Sequence, residues 1–508
     1  MQRDTKDRGE AMNWFIRLNE KDHVVVALED IPKGTILQID KGKSVELKED
    51  VKKGHKILVH SLEKGADVLK FGYSIGKAKR NLTEGEWVHT HNIESGLRGL
   101  LNYTYQPVSP TVIVKETGRT FQGYWRENGE VGIRNEIWII NTVGCINKSC
   151  ELLAKLANQT FKGRNIDGIH HFPHPYGCSQ LGDDLVYTQK LLASLVLHPN
   201  AAGVLVVGLG CENNQIDSFR KLLGKYPSER IRFMKSQEVE NELETGLQLI
   251  DELVQYAEKF QRQPIPVSKL KIGLKCGGSD GFSGITANPL VGVVSDMVVS
   301  EGGTAILTEV PEMFGAETIL MNRAIDEHVY EQIVSLINDF KQYFIRHGQE
   351  IYENPSPGNK EGGISTLEEK SLGCIQKGGR ASIVDVRLYG ERVVKNGLNM
   401  IQAPGNDLIS VTALAAAGAH LVLFTTGRGT PFGGPVPTIK IATNSELANR
   451  KQNWIDYNAG KLLEGKTIEE MRHDLFEYLL QVASGERYTK NELYGFREIS
   501  IFKEGVIL

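Results

Sequence analysis

The sequence predicts an α/β protein, with a small N-terminal all-β module followed by two α/β domains whose sheets are mostly parallel. Three observations carry this reading. Short β-branched runs near the N-terminus are punctuated by four glycine-ended turns. From Gly123 onward, apolar runs of four to eight residues alternate with longer amphipathic stretches, the pattern of βα units. That alternation restarts after the proline-containing stretch QRQPIPVSK (261–269), and 508 residues suit about three domains.

The module is assigned to residues 13–100. Its turns are EDIPKG ending at Gly34, EDVKKG at Gly54, SLEKG at Gly65 and NLTEG at Gly85. In each, a short polar side chain can bond the backbone ahead of it, and glycine supplies a φ > 0 position. The runs VVVAL, TILQI, KILVH and DVLKF lie between them, and the module closes on VHTHN (88–92). LNYTYQPVSPTVIVKETGRT has no steady period and two prolines, so 101–122 reads as a linker.

The first α/β domain, 123–262, has strand candidates at 136–143, 167–172, 203–209 and 230–235, with helices near 147–160, 183–197, 214–224 and 238–260. The second, 263–508, has strands at 270–275, 304–310, 382–387, 398–403, 420–426 and 438–443. Its helices fill 288–301, 318–347 and 406–418. Residues 352–380, rich in Gly and Pro and without a period, read as a long functional lid or binding loop, an ordered dimer contact being the plainer alternative.

Composition is that of an ordinary globular protein, 40% hydrophobic and 24% charged. A formal charge of −4 gives no electrostatic reason to expect nucleic acid or an anionic membrane as partner. No apolar run approaches the ~20 residues of a membrane span. The polar start MQRDTKDRGEAMNWF resembles neither a signal nor a transit peptide and reads as a frayed lead-in. Six cysteines do not make a disulfide scaffold, so reduced thiols in a cytoplasmic protein are expected.

Chemistry-bearing residues gather where strands end. On a strand, His89 and His91 would project from one face, a pair able to hold a divalent metal or simply two exposed polar groups. Cys145, Cys178, Cys211 and Cys276 follow strands and adjoin glycines, Cys374 lies in the long stretch, and Cys150 on a helix looks like core filler. Ligands of open α/β sheets bind beyond the carboxyl ends of strands, so these loops are expected to converge. A thiolate-held iron or iron–sulfur centre is one thing such a set could hold, whereas the lack of C-x-x-C argues against a zinc ribbon. Other polar loop residues are His174, Asn213, Ser279, Asp280, Glu309 and Glu312; Asp183 and Asp184 are read as helix caps. Arg428, in TTGRGTPFGG, could grip a carboxylate with two hydrogen bonds. No G-x-x-x-x-G-K-[ST] and no proper G-x-G-x-x-G follows the first strand, so nucleotide binding is weakly supported.

VGIRNEIWIINTVGC, YGCSQLGDD, VVGLGCENNQ, CGGSDGFSGITANP, TEVPEMFGAE, YENPSPGN, APGND and TTGRGTPFGGPVPTIKIATNSE together resemble the altronate/galactarate dehydratase family. The front module with VHTHN resembles that family's SAF-type β-clip domain, and the match runs from about Trp14 to the final residues. The resemblance implies metal-dependent loss of water from a small-molecule sugar acid, with D-altronate giving 2-dehydro-3-deoxy-D-gluconate the closest pattern. It also implies Fe2+ or Mn2+ as the metal. On that reading His89 and His91 are the expected metal ligands, with Cys145, Cys178, Cys211 and Cys276 competing or additional. Arg428 is the expected carboxylate clamp, and Ser279, Asp280 and Asn213 would hold hydroxyls. Asp280, Glu309 and His174 stand unranked as the base. Galactarate or a sulfonated hydroxy acid is the rival substrate, and a sugar-acid sensor or an iron–sulfur redox protein the rival class. A homo-oligomer would be ordinary for a cytosolic enzyme.

Overall fold

The computed structural model describes residues 14–507, and the expected N-terminal lead-in lies outside them. Within the β-module, Phe15–Ile16, Val24–Ala27, Lys56–Leu58 and Trp87–Val88 form an antiparallel sheet. The hairpin Ile36–Asp40/Lys43–Glu46 and a second small sheet over Asp67–Lys70, Tyr73–Ala78 and Ile93–Glu94 complete it. The four turn glycines all take φ near +80°, as their sequence context predicts. At Gly85 the reason is spatial too, because a Cβ there would meet the Glu46 carbonyl at 2.0 Å.

The first α/β domain is a four-stranded parallel sheet ordered Ile169–His171, Glu136–Asn141, Ala201–Gly208, Ile231–Lys235. Strand Glu136–Asn141 is buried on both sides, as parallel strands are. Ile137 and Ile139 join one core with helices Asn147–Thr160 and Glu242–Ala257. Trp138 and Ile140 face a second core shared with Phe424, Leu414 and Val411 of the other α/β domain.

The second α/β domain is a seven-stranded sheet, also parallel throughout. Its order is Ile383–Arg387, Gly397–Ile401, Thr304–Leu307, Lys271–Cys276, Leu421–Thr426, Thr438–Ala442, Tyr457–Asn458. Two segments depart from the expected picture. Gln263–Pro266, read as a boundary, pairs antiparallel with Thr120–Trp125 and ties the chain on either side of the first α/β domain. The 352–380 stretch is not a loop, since it holds helices Pro357–Glu361 and Leu367–Cys374 and a 3-10 turn at Ile375–Gly378. Every residue of Leu367–Cys374 is buried, so no polar face exists to give the helix a visible period.

The β-module docks on this helix. Lys56 and Lys70, both fully buried, each place Nζ 2.8 Å from a carboxylate oxygen of Glu369, and Lys56 also donates to the Gly363 carbonyl at 2.7 Å. One buried acid thus joins two strands of the module to the α/β body.

Candidate active site

Strand Lys271–Cys276 has Thr304–Leu307 on one side and Leu421–Thr426, much later in sequence, on the other. The chain therefore reverses direction across the sheet at this strand, and such a switch point opens a crevice at the carboxyl ends. Beside it a cleft of about 920 Å³ opens at the carboxyl ends of Lys271–Cys276, Thr304–Leu307 and Gly397–Ile401, lined by Cys276, Gly277, Glu312, Asn354, Lys370 and Asp407 among others.

In and behind its wall three buried lysines oppose three acids. Lys275 Nζ reaches Glu309 Oε1 at 2.5 Å and Asp407 Oδ1 at 2.9 Å. Glu309 Oε2 faces Lys377 Nζ at 3.0 Å and accepts from the Cys276 amide at 3.1 Å. Lys370 Nζ donates to Glu312 Oε1 at 2.9 Å and to the side-chain oxygens of Asn354 and Asn359 at 3.0 and 3.2 Å. Burial opposes the charge on Lys275, but Asp407 and Glu309 outweigh it and hold its pKa well above the lysine range. Burial pushes the Glu309 carboxyl up despite both lysines. Burial would raise Glu312 as well, yet Lys370 and Lys275 pull it down to about 2. Glu309 sits in the left-handed region at φ 72°, a cost of order 1–3 kcal/mol for a residue with a Cβ, which the surrounding contacts sustain. The Cys276 sulfur lies 2.9 Å from Ser279 Oγ, and a hydrogen bond from Cys374 holds its pKa well below the usual thiol range.

The expected residues divide into three groups. Cys276, Ser279, Asp280, Glu309 and Arg428 belong to this sheet edge. Asp280, however, is no base in waiting: its two oxygens accept from Thr443, Ser283, Asn444 and the Phe282 amide, and it is buried. It holds the strand-end loops together. Arg428 stands half-exposed, paired with Glu361 at 2.8 Å, and does not line the cleft.

Cys145, Cys178, Cys211, Asn213 and His174 lie at the carboxyl edge of the other sheet. His174 is buried with Nε2 2.8 Å from the Asn141 carbonyl and Nδ1 accepting from the Tyr176 amide, and burial lowers its pKa to about 4. Both ring nitrogens are spent on holding loops, so it is not placed to take a substrate proton. Asn213 Oδ1 accepts from the Ser179 amide at 2.7 Å. Asp184, expected as a cap of its own helix, instead accepts the amides of Glu504 and Gly505, pinning the C-terminal tail.

His89 and His91 lie on the β-module, but the strand ends at Val88 and a turn spans 89–92, so the alternation that would align the two rings is absent. His89 stacks on Trp87, its Nδ1 3.1 Å from Ser365 Oγ, and burial lowers its pKa to about 3; His91 is exposed. Among the described residues, no three His, Cys, Asp or Glu side chains are grouped to clasp a single ion. The acids of the cleft do not suit a divalent cation either, because ammonium groups stand where its charge would be.

Sequence reasoning missed Lys275, Lys370, Lys377 and Asp407 as parts of the site. Asp407 had a signal, the APGND motif after a strand. Lys370 and Lys377 had none, lying in the stretch without a period.

Acids, ammonium groups and a thiol gathered around a cleft at the carboxyl edge of a parallel sheet define an enzyme rather than a simple binding module, which needs only a few placed polar groups. Three family models match the chain: the SAF domain of altronate/galactarate dehydratases at 13–96, the second domain of D-galactarate dehydratase/altronate hydrolase at 123–258, and the C-terminal domain of D-galactarate/altronate dehydratase at 267–507. The chain is 50% identical to the altronate dehydratase of Bacillus subtilis (strain 168), over 98% of its own length and all of the relative. It is 50% identical to the altronate dehydratase of Escherichia coli (strain K12), over 97% of its length and all of the relative. Identity to the galactarate dehydratase (L-threo-forming) of the same E. coli strain is 33%, over 96% of each chain. The protein is a hydro-lyase. It belongs to the altronate/galactarate dehydratase family.

Proposed function

We propose that this chain removes water from D-altronate to give 2-dehydro-3-deoxy-D-gluconate. The end-to-end 50% identity to two altronate dehydratases carries the choice of substrate. The chemistry asked of the site is removal of a weakly acidic proton α to a carboxylate, with stabilisation of the enediolate that forms. Asp407 is the base: it lines the cleft, its side chain is 29% exposed, and Lys275 orients it through Oδ1. It replaces Glu309, which is sealed behind the wall between two lysines. The proton on C2 passes to Asp407, the C3–O bond breaks as that hydroxyl takes up the proton from Asp407 and leaves as water, and the enol tautomerises to the ketone. Lys370, Lys275 and Lys377 supply the positive field for the enediolate from a dry wall, where charge acts most strongly.

The test is turnover of D-altronate beside galactarate by the intact protein under anaerobic conditions, read as 2-keto-3-deoxy acid. Altronate turnover that falls by about 10²–10⁴-fold in Asp407→Asn, with the fold retained, supports the reading. Turnover of galactarate alone changes the substrate, and full activity of Asp407→Asn removes Asp407 from its role.

A further inference from the structure

The first α/β sheet has a switch point of its own. Strand Glu136–Asn141 is flanked by Ile169–His171 and Ala201–Gly208, so the reversal falls between strands 136–141 and 201–208. The loops leaving those two strands carry Cys145 and Cys211, and the loop leaving the third carries Cys178. All three thiols are exposed and free.

The loops are interlocked backbone to backbone. The Gly144 amide donates to the Tyr176 carbonyl at 2.8 Å, and the Asn214 amide to the Gly177 carbonyl at 3.0 Å. Asn214 Nδ2 donates to the Thr142 carbonyl at 3.1 Å, and Thr142 Oγ1 to Glu212 Oε1 at 2.6 Å. Gly177 is packed so closely that a Cβ would meet the Thr142 carbonyl at 1.9 Å. Three thiol-bearing loops are thereby held against one another by contacts that involve none of the sulfurs. Within the same loops, Gln180 Nε2 and Asn214 Oδ1 are buried without a hydrogen-bond partner, polar atoms suited to a polar guest.

We propose that Cys145, Cys178 and Cys211 form a binding site for an iron–sulfur cluster at the switch point of the first α/β sheet. The donors are soft thiolates alone, which favour iron–sulfur chemistry over manganese. A cluster spreads its thiolates because each binds a different iron, so the three sulfurs need not converge on one ion. Three cysteines serve three irons of a four-iron cluster and leave the fourth for a small oxygen ligand. Cys276 is not in this set, since it ends a strand of the other sheet and is buried against Ser279. The cluster site is joined to the cleft by the C-terminal tail. Phe502 and Lys503 line the cleft, the next two amides bind Asp184, and Ile507 bridges to Gln180, two residues from Cys178.

The inference rests on the dehydratase reading only for its oxygen-ligand side, and the experiment separates the two. Iron and acid-labile sulfide are measured on the full-length protein purified and reconstituted anaerobically, with about four of each per chain expected. Cys145→Ser, Cys178→Ser and Cys211→Ser should each lower both by roughly tenfold or more, while Cys150→Ser and Cys276→Ser keep them. On the unsubstituted chain, which avoids any folding defect, alkylation mapped by mass spectrometry should label the three thiols before reconstitution and spare them after it. Iron without sulfide, full cluster content in the triple variant, or equal alkylation in both states overturns the proposal. Turnover of altronate by protein free of iron and sulfide overturns the oxygen-ligand role of the fourth iron and leaves the dehydratase reading standing. A loaded cluster with no sugar-acid turnover upholds the site and overturns the reading.

Discussion

Lys370→Met removes one ammonium from the wall of the cleft and leaves the Glu312 carboxylate, 4% exposed, without its principal partner. At 2.9 Å the pair has a gross attraction of about 6 kcal/mol at an effective dielectric of about 20. Desolvation cancels part of that, so breaking one side of such a pair nets about 3–5 kcal/mol of destabilisation. For a domain of this size about 2–4 °C of melting temperature follows each kcal/mol, which puts the fall at about 6–20 °C. The deficit has a definite pH dependence. In the parent, Glu312 is depressed from 4.5 to about 2, so its contribution is complete above the ordinary carboxyl value and is lost as pH falls toward 2. In the variant the stranded carboxylate protonates more readily, so the difference between the two proteins narrows on acidification. Adding Glu312→Gln removes the stranded charge and should recover about 0.5–3 kcal/mol, because the two residues are coupled. Thermal melts of the parent, both single variants and the double variant from neutral to acid pH form the assay. A Lys370→Met protein melting within about 2 °C of the parent, or a double variant no more stable than Lys370→Met alone, refutes the reasoning.

Glu369→Gln should loosen the β-module, since Lys56 and Lys70 would both be buried without a counter-charge; limited proteolysis should then cut between the module and the body faster in the variant than in the parent. Lys56 and Lys70 outweigh burial to hold Glu369 at about 2, so this contribution to stability is present above about pH 4.5 and fades as pH falls toward 2, which an acid titration of the module's docking would follow. Gly177→Ala combines a φ of +99° with a backbone clash, whereas Gly163→Ala at φ +85° meets nothing within 4 Å. The first should therefore cost clearly more than the ~1–3 kcal/mol of backbone strain that bounds the second, and equal denaturation midpoints would show that the close approach at Gly177 is relaxed.

Much of the fold was legible because its signals are local. The turn at Gly34 and its three fellows combine a short polar residue with a glycine, and both properties belong to the residues themselves. Strands such as Ala201–Gly208 are continuous apolar runs because parallel sheet is buried on two faces. The same logic fails for Leu367–Cys374. A helix buried all round loses the contrast between faces from which helices are read, and Lys370 went unnoticed inside it. The histidines fail for a related reason. Whether His89 and His91 share a face depends on where pairing stops, and the end of strand Trp87–Val88 is set by its partner Lys56–Leu58 rather than by the residues that follow.

The sequence by itself determined that this is an α/β protein with a β-module in front, that its thiols and acids stand at strand ends, and that its long motifs are those of one dehydratase family. All of these follow from patterns within short stretches of chain. Only the tertiary structure decided which strand ends meet. It interlocked the loops of Cys145, Cys178 and Cys211 with one another and set Cys276 against Ser279, where one convergent set of loops was expected. It withdrew Asp280 and His174 from the chemistry by satisfying every polar atom they offer. It brought Lys275, Lys370 and Lys377 to Glu309, Glu312 and Asp407 across as many as 132 positions of sequence, the span from Lys275 to Asp407. Strand order is fixed by the packing of whole helices against whole sheets, and no local stretch records which neighbour it will acquire.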